Sequence, residues 1–282
     1  MLINSELPLT MLDKNLELNE YDFVLFHLCK QYPEYKDYYK QLRQSHPDRL
    51  MILDNSAYEF FVKGETLDVA EYIDLIQELA PDMYILPDVL MDKQATLDGV
   101  FNFMLYNKIK VDEAFRFSKA PQPLAVAQGN SAEDLFDCLL KYWYYGIKNV
   151  AIPFHNSFYK DYHGFVTPNL YNTWRLGFGQ LTEDHKYAIG RIEFVRAAAL
   201  LLKKFEYVHL LGSHCPWEKA FHPMSVQSID TGYPVKCGIE GHELFKEPAK
   251  PDIIIDDFMT EPLTEAQITL IENNIKKFKS LY

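Results

Sequence analysis

Two aspartates of this chain, Asp54 and Asp230, each end a short apolar run and precede small residues. Two carboxylates at one site can divide the work of catalysis, because one attacks a carbon atom while the other gives or takes a proton. Cleavage of a glycosidic bond needs this division, since its transition state resembles an oxocarbenium ion that a nearby carboxylate stabilises. The alternative for either residue is structural, as an aspartate that caps a helix or stabilises a turn.

Asp88 and Gln128 end two further apolar runs and carry the groups that reading a purine-like base requires. A carboxylate accepts two parallel hydrogen bonds from the N1–H and exocyclic amine of a guanine-like base, and a glutamine amide addresses the O6 and N7 side. Tyr58 follows Asp54 closely and is a candidate to stack on such a planar ligand; the other interpretation is an ordinary core tyrosine.

The elements that must position these residues are short apolar runs that each break off at a polar residue. The runs read ILDNSAY, YILPDV, LAVAQG, VAIPFH, HLLGSH and SIDTG. Strands that helices cover on both faces have this continuous hydrophobic character. Most runs precede a stretch long enough for a helix, so the pattern predicts the α/β class and a (β/α)8 TIM-type barrel. Chemistry gathers at the C-terminal ends of the strands in that fold.

The pattern along the chain predicts eight strands and the helices between them. The predicted strands cover residues 21–29, 49–56, 82–90, 124–129, 149–155, 207–214, 225–231 and 252–258. The predicted helices cover residues 31–49, the segment that Thr66 caps, 92–106, the segment from Ser131 to Gly146, 188–205, and the C-terminal helix that begins with a capping box at Thr264.

We expect a single barrel domain over residues 1–282, with the C-terminal helix in 264–282. Residues 156–187 interrupt the alternation after the fifth strand with an aromatic insertion that contains Gly and Pro. A loop of this length in a compact domain is usually functional or disordered. Its aromatic residues suit stacking on bases, and a lid packed on the barrel is the equally favoured interpretation.

The composition narrows the class of protein. The formal charge of −12, from 40 acidic and 28 basic residues, argues against a generally basic nucleic-acid-binding surface. No stretch approaches the roughly 20 apolar residues of a membrane span, and the N-terminus does not read as a signal peptide. The four scattered cysteines suit a reducing cytoplasm, which is the predicted location, or the host cytoplasm if the source is viral.

Several cysteines and histidines are candidates for metal ligands or pocket residues. Cys215, Cys237, His214, His222 and His242 have no Cys-x-x-Cys or Cys-x-Cys spacing, so the sequence predicts no zinc site. His155 and His214 follow apolar runs, and we expect them to line the pocket.

Five segments, taken in order, resemble segments of the tRNA-guanine transglycosylase superfamily. Asp54-Asn55-Ser56-Ala57-Tyr58 resembles the family's Asp-Ser-Gly-Gly-(Phe/Tyr), whose aspartate is the general acid/base and whose aromatic residue stacks on the base. Asp88 in YILPDV and Gln128-Gly129 in AVAQG resemble the base-recognising elements. Leu211-Gly212 in HLLGSH is similar to a strand end whose backbone lines the pocket, and Asp230 in SIDTG resembles the nucleophile that becomes linked to the sugar.

The resemblance spans residues 50–232 and implies a base-exchange enzyme that needs no cofactor. The implied site consists of the nucleophile Asp230, the general acid/base Asp54, and the substrate-binding residues Asp88, Gln128, Tyr58, Ser56, Gly212 and Ile152. Two departures affect the shape of the implied pocket. Ala151-Ile152-Pro153 replaces the family's pocket glycines after the fifth strand, and Asn55 and Ala57 replace Ser and Gly after Asp54.

The sequence lacks the family's zinc-binding Cys-x-Cys-x-x-Cys…His segment. In this it resembles most the phage-type DNA-guanine transglycosylases, which exchange guanine in DNA for a 7-deazaguanine such as 7-cyano-7-deazaguanine. The resemblance therefore implies DNA and a 7-deazaguanine base as partners, with tRNA as the alternative nucleic acid and no membrane partner. Candidate phosphate contacts, each of which has a solvated helix face as its other interpretation, are Arg191, Arg196, Lys203, Lys204, Lys276, Lys277 and Lys279.

Two rival functions stay open. A hydrolase on the same scaffold would release a 7-deazaguanine base from a nucleoside or nucleotide, and the acidic charge and small size favour it. A non-enzymatic barrel that binds nucleic acid or a partner would have no need of the carboxylates, so Asp230→Asn would keep all function. The transglycosylase hypothesis predicts that this change abolishes exchange while the fold survives.

Overall fold

The computed structural model describes residues 1–154, 157–160, 183–244, 259–260 and 262–280. Its fold confirms the predicted class: the chain is α/β, with eight parallel strands that alternate with helices as in a (β/α)8 TIM-type barrel. Among the described helices, none has the length and apolar character that crossing a membrane requires.

The strands are short. They are β1 Leu2–Ser5, β2 Asp22–Leu25, β3 Met51–Asp54, β4 Met83–Ile85, β5 Gln122–Val126, β6 Asn149–Pro153, β7 Tyr207–Leu211 and β8 Ser228–Thr231. Every residue of β2, β3, β4, β6 and β8 is buried, as the continuous apolar runs predict for strands covered on both faces.

The helices follow the strands in sequence. They are α1 Asn15–Leu18, α2 Phe26–Gln31, α3 Pro33–Ser45, α4 Ala57–Lys63, α5 Val69–Leu79, α6 Lys93–Tyr106, α7 Lys108–Ala114, α8 Ala132–Tyr144, α9 Glu183–Ala197, α10 Ala199–Leu202, α11 Tyr233–Ile239 and α12 Glu265–Ser280. Short 3-10 helices cover Leu9–Lys14, Ser157–Lys160 and Pro216–Phe221.

Two compact units make up the chain. The continuous unit, residues 21–152, contains β2 to β6, and its strands pair in parallel in sequence order. Buried tyrosines of its helices donate hydrogen bonds to strand carbonyls. The single Tyr72 hydroxyl hydrogen of α5 is shared between the carbonyls of Leu53 and Ile85, which lie 3.1 and 2.9 Å from the hydroxyl oxygen. The Tyr142 hydroxyl of α8 donates to the Val126 carbonyl at 2.8 Å. Because a buried hydroxyl needs a partner, these bonds fix each helix against the strand ends.

The split unit joins residues 1–20 to residues 153–282. In it β1 and β7 both pair in parallel with β8, and Leu2 lies opposite Ser228. The C-terminal helix α12 binds the N-terminal segment, since Lys276 pairs with Glu17 at 3.0 Å and the Lys279 amine donates to the Leu18 carbonyl at 3.1 Å. The two ends of the sequence therefore belong to one unit.

Several predicted helix ends are confirmed. Ser131 caps α8 by accepting the Asp134 N–H at 3.1 Å, and Gly146 beyond that helix has the left-handed φ of 77° that a C-terminal glycine supplies. The capping box before α12 is present, because the Thr264 hydroxyl accepts the Gln267 N–H at 3.3 Å and the Gln267 side chain accepts the Thr264 N–H at 3.0 Å.

Other predicted boundaries are wrong. Asp68, not Thr66, caps α5, because its carboxylate accepts the N–H groups of Ala70 and Glu71 at 2.9 and 3.1 Å. The predicted first strand over 21–29 stops at Leu25 and turns into α2. The single helix predicted over 188–205 is two helices in the structure, α9, which begins earlier at Glu183, and α10, which ends at Leu202.

None of the predicted strands covers β1, which is one of the eight strands of the sheet. The strand predicted over 252–258 lies outside the described residues. Most of the predicted insertion over 156–187 does so as well, and its described parts form the Ser157–Lys160 3-10 helix and the start of α9.

Candidate active site

Asp54 is the last residue of β3, and a tight turn follows it. Its side-chain oxygen Oδ2 accepts the backbone N–H of Ser56 at 2.7 Å. Ser56 has a left-handed backbone, with φ of 60° and ψ of 33°, which costs a non-glycine residue about 1–2 kcal/mol. The same residue donates its N–H to the carboxylate, and α4 begins at the next residue.

The side chain of Ser56, predicted to bind substrate, is fully buried and contacts His27. Its Oγ accepts the His27 backbone N–H at 3.1 Å and lies 2.8 Å from His27 Nδ1. These contacts hold the strained turn against the start of α2. His27 was missed because it lies inside an apolar stretch, YDFVLFHLC, that predicts only a strand.

The side chains of Asp88 and Gln128 lie together, as the prediction that both read one base requires. Gln128 Nε2 donates to Asp88 Oδ2 at 2.8 Å, and Asn55 Nδ2 donates to Asp88 Oδ1 at the same distance. Asn55, a departure from the motif that this segment resembles, thus links the turn after β3 to the carboxylate after β4. Its second N–H donates to the Leu86 carbonyl at 2.8 Å.

The orientation of both amides is fixed by their other contacts. Gln128 Oε1 accepts the Met91 N–H at 3.2 Å, and Asn55 Oδ1 accepts the Ala57 N–H at 2.9 Å. Burial raises the pKa of Asp88, and the hydrogen bonds from Asn55 and Gln128 partly oppose that rise by favouring the ionised carboxylate. The result is a carboxylate with one amide donor on each oxygen.

Tyr58 and Ile152 complete the predicted residues of the continuous unit. Tyr58 lies on α4 with 49% of its surface exposed, so it is not the core tyrosine that formed the alternative interpretation. Ile152 is fully buried in β6 and presents no polar group.

Asp230 lies in β8 of the split unit and is held through one oxygen. Its Oδ1 accepts the backbone N–H of Gly212 at 2.9 Å and lies 3.0 Å from His209 Nε2. Its other oxygen, Oδ2, has no hydrogen-bond partner among the described residues. A carboxylate fixed in this way keeps one oxygen for attack on a carbon atom.

Gly212, predicted to line the pocket through its backbone, supplies one of these donors. Its φ of 65° is left-handed, a conformation that glycine adopts without steric cost. The carbonyls of Leu211 and Gly212 in turn accept hydrogen bonds from the Arg191 guanidinium at 2.8 and 2.6 Å. Arg191 therefore holds the loop that presents the Gly212 N–H to Asp230.

Arg191 was predicted as a phosphate contact or a solvated residue, and both interpretations are wrong. Its side chain is fully buried and binds Glu218 through two bonds, Nε to Oε1 at 2.7 Å and Nη2 to Oε2 at 2.8 Å. Ser213 and His222 also bind the Glu218 carboxylate, at 2.8 and 3.0 Å. A guanidinium with these partners is part of the interior and is closed to a phosphate.

The pKa values in this cluster follow from burial and charge. Burial disfavours the Glu218 carboxylate, but the Arg191 charge and the bonds from His222 and Arg191 outweigh it and lower its pKa to about 2. Burial also lowers the pKa of His222, although the neighbouring carboxylate opposes this. His222 thus binds the Glu218 carboxylate.

The other predicted basic contacts differ in their surroundings. Lys203 and Lys204 are exposed beyond α10, and Arg196 donates to the Phe221 carbonyl at 3.0 Å. Lys277 pairs with Glu243 at 3.3 Å, and Lys276 and Lys279 bind the N-terminal segment.

Of the two histidines predicted to line the pocket, the structure describes His214 only. His214 lies between two aromatic rings, with ring centroids 5.1 Å from Phe154 and 5.7 Å from Tyr233, and is stacked on the latter at 20°. His155 lies outside the described residues. Within the described ranges, no group of three or more His, Cys, Asp or Glu side chains could hold a metal ion.

An open cleft of about 520 Å³ lies elsewhere in the continuous unit, between α6 and α8. Its aromatic side chains include Phe101, Trp143 and Tyr144, and none of the predicted site residues lines it. We therefore do not connect it with the predicted chemistry.

The chain is a (β/α)8 TIM-type barrel protein with a strand-end carboxylate cluster in each unit. No protein-family model matches it, and no curated protein matches its sequence.

Proposed function

We propose that the protein is a base-exchange transglycosylase that replaces guanine in DNA with a 7-deazaguanine through a covalent aspartyl-sugar intermediate. The observation that carries this proposal is the state of Asp230. Two donors hold Oδ1, and Oδ2 has no hydrogen-bond partner among the described residues. This is the arrangement that a carboxylate nucleophile requires, because attack needs a fixed carboxylate with one oxygen available.

The amide-bracketed carboxylate of the continuous unit supports the choice of a guanine-like base. Each Asp88 oxygen accepts one side-chain amide N–H, and a carboxylate, with about four acceptor sites, can take further donors. The N1–H and exocyclic amine of guanine are two such donors side by side. Gln128 Nε2 has a second N–H beyond the one that Asp88 accepts, and a purine-like O6 is a suitable acceptor for it.

The reaction then requires two displacements at C1′ of the sugar. Asp230 Oδ2 attacks C1′, the bond to guanine breaks, and protonated Asp54 gives its proton to the departing base. Asp54, now a carboxylate, takes the N9 proton of the incoming 7-deazaguanine. That nitrogen attacks C1′ and the electron pair of the C1′–Oδ2 bond returns to Asp230. The target nucleotide must leave the base stack first, since C1′ cannot be reached within a duplex.

A hydrolase that releases a 7-deazaguanine from a nucleoside or nucleotide is the second candidate. The burial of Arg191 favours it, because a predicted phosphate contact is thereby lost from a chain whose net charge is already −12. The same residues would act, with water in place of the incoming base.

The test is incubation with labelled 7-cyano-7-deazaguanine and, in parallel, duplex DNA, single-stranded DNA and tRNA. We expect incorporation into DNA alone. Asp230→Asn should abolish incorporation and covalent trapping while the far-ultraviolet circular dichroism stays unchanged, and Asp48→Asn, at an exposed position, is the matched control. Incorporation by Asp230→Asn at the wild-type rate would refute the proposal. Release of free base from a 7-deazaguanosine without incorporation would establish the hydrolase.

A further inference from the structure

A line of four side chains in the split unit ends at Asp230. The Tyr207 hydroxyl donates to Ser228 Oγ at 2.6 Å, and Ser228 Oγ lies 2.7 Å from His209 Nδ1. The opposite ring nitrogen, His209 Nε2, lies 3.0 Å from Asp230 Oδ1. His209 and Ser228 are both fully buried, so water does not compete for these bonds.

The order of donors along this line determines which nitrogen of His209 carries the proton. Because Ser228 accepts from Tyr207, its own hydrogen is available for His209 Nδ1, which is then an acceptor. Nε2 must carry the proton and donate a hydrogen bond to Asp230 Oδ1. A doubly protonated ring would also bind Asp230, but it would leave the buried Ser228 hydrogen without an acceptor among the described contacts. Burial raises the pKa of Tyr207 to about 12, so this first donor stays protonated at neutral pH.

We infer that His209 is a positioning residue that assists release of Asp230 from the covalent sugar ester, with its tautomer set by Ser228 and Tyr207. The inference rests on the proposed function, since it concerns the intermediate of that reaction. It adds a residue that neither the motifs nor the resemblance indicates.

The chemistry follows from which oxygen is held. In the ester, Oδ2 is bonded to C1′ and Oδ1 is the carbonyl oxygen. When the C1′–Oδ2 bond breaks, its electron pair returns to the carboxylate and negative charge grows on Oδ1, where the Gly212 and His209 N–H groups are already placed. Such placed donors stabilise the transition state in which the charge develops. No proton moves from His209 in this step.

The test compares His209→Phe, which removes the donor, with His209→Gln, whose amide nitrogen can occupy the place of Nε2. We expect His209→Phe to lower turnover by about 100-fold, the effect of losing one such donor. We also expect a larger fraction of the protein to be found covalently linked after acid quench, because release of Asp230 is slowed more than attack by it. His209→Gln should restore most of the turnover. Wild-type turnover in His209→Phe, or a trapped fraction that falls with turnover, would contradict the inference.

A measurement that needs no activity separates this inference from the proposed function. The ¹⁵N chemical shifts of His209 should show the neutral Nε2–H tautomer in the wild-type protein at pH 7. Ser228→Ala should abolish that preference, and Tyr207→Phe should weaken it. A wild-type ring that carries its proton on Nδ1, or on both nitrogens, overturns the inference whether or not base exchange is found. Absence of exchange in the wild-type protein, with the Nε2–H tautomer present, overturns the proposed function and with it the role in ester release.

Discussion

Replacing Arg191 with methionine would leave the Glu218 carboxylate buried without its charged partner. Four hydrogen bonds from described residues reach that carboxylate: two come from the guanidinium, and one each from Ser213 and His222. Both members of the ion pair are fully buried, so solvent screens their interaction little. Removal of one partner from a buried pair costs about 3–5 kcal/mol. We expect a loss of this size in the free energy of unfolding at pH 8.

The size of the loss should depend on pH. Without Arg191, burial dominates and raises the pKa of Glu218 above its ordinary value, so the carboxylate takes up a proton more readily. Arg191→Met should therefore cost less at pH 5 than at pH 8. Adding Glu218→Leu removes the unpaired charge and should recover much of the loss. About 1–3 kcal/mol should remain, because the carbonyls of Leu211 and Gly212 have also lost their donor.

Urea unfolding followed by tryptophan fluorescence is the assay, since Trp217 lies in a buried cluster beside this site with Phe154 and Ile192. Arg116→Met is the matched control, because Arg116 is exposed and its guanidinium lies over the Phe117 ring at 4.5 Å. It should change stability by no more than about 0.5 kcal/mol. A loss below about 1 kcal/mol for Arg191→Met at pH 8 would refute the reasoning, because it would equal that of an exposed pair.

Three further predictions concern acid stability and the base-reading residues. The folded-state pKa values of His222 and Glu218 both lie below their ordinary values of 6.5 and 4.5, so the stability they contribute is present above those values and is lost on acidification. The unfolding free energy should fall first below pH 6.5 and again between pH 4.5 and about 2, and His222→Gln should remove the first step. Asp88→Asn should cost about 1–3 kcal/mol in thermal unfolding, because its new N–H₂ must face an amide donor such as that of Gln128, and calorimetry should show loss of base binding. Tyr58→Ala should weaken base binding by about 1–3 kcal/mol with little change in melting temperature. A loss of unfolding free energy as large as the loss of binding free energy would instead mean that this side chain serves the fold.

The sequence predicts the fold class and the places of β2 to β8 well, because burial on both faces leaves continuous apolar runs. Most of the predicted strands nevertheless run past the C-terminal ends of the strands in the structure. β1 escaped because it is four residues long and its second half, Asn4 and Ser5, is polar although buried. Thr66 is the predicted helix cap and Asp68 the observed one, because both residue types serve that purpose and only the backbone geometry decides between them.

The candidate site is predictable only where residue type alone suggests chemistry. Asp88 and Gln128 carry such a signal, and the structure brings them into contact. Asn55, His209 and Arg191 carry none, because the role of each depends on a partner that lies far away in sequence. The partner of Arg191, for example, is 27 positions further along the chain. A basic residue on a helix predicts exposure until the acidic residue that buries it is known.

Because the split unit contains both ends of the chain, it predicts the order in which the segments fold during synthesis. Residues 21–152 form a unit whose strands pair in sequence order, so each strand can find its neighbour soon after synthesis. Leu2 cannot pair with Ser228, and Leu18 cannot contact Lys279, which lies 261 positions later, until those residues have been synthesised. Contacts so distant in sequence form slowly, since the intervening chain must be ordered or closed into a loop first. We therefore expect the first twenty residues to leave the ribosome early and to join their own unit last.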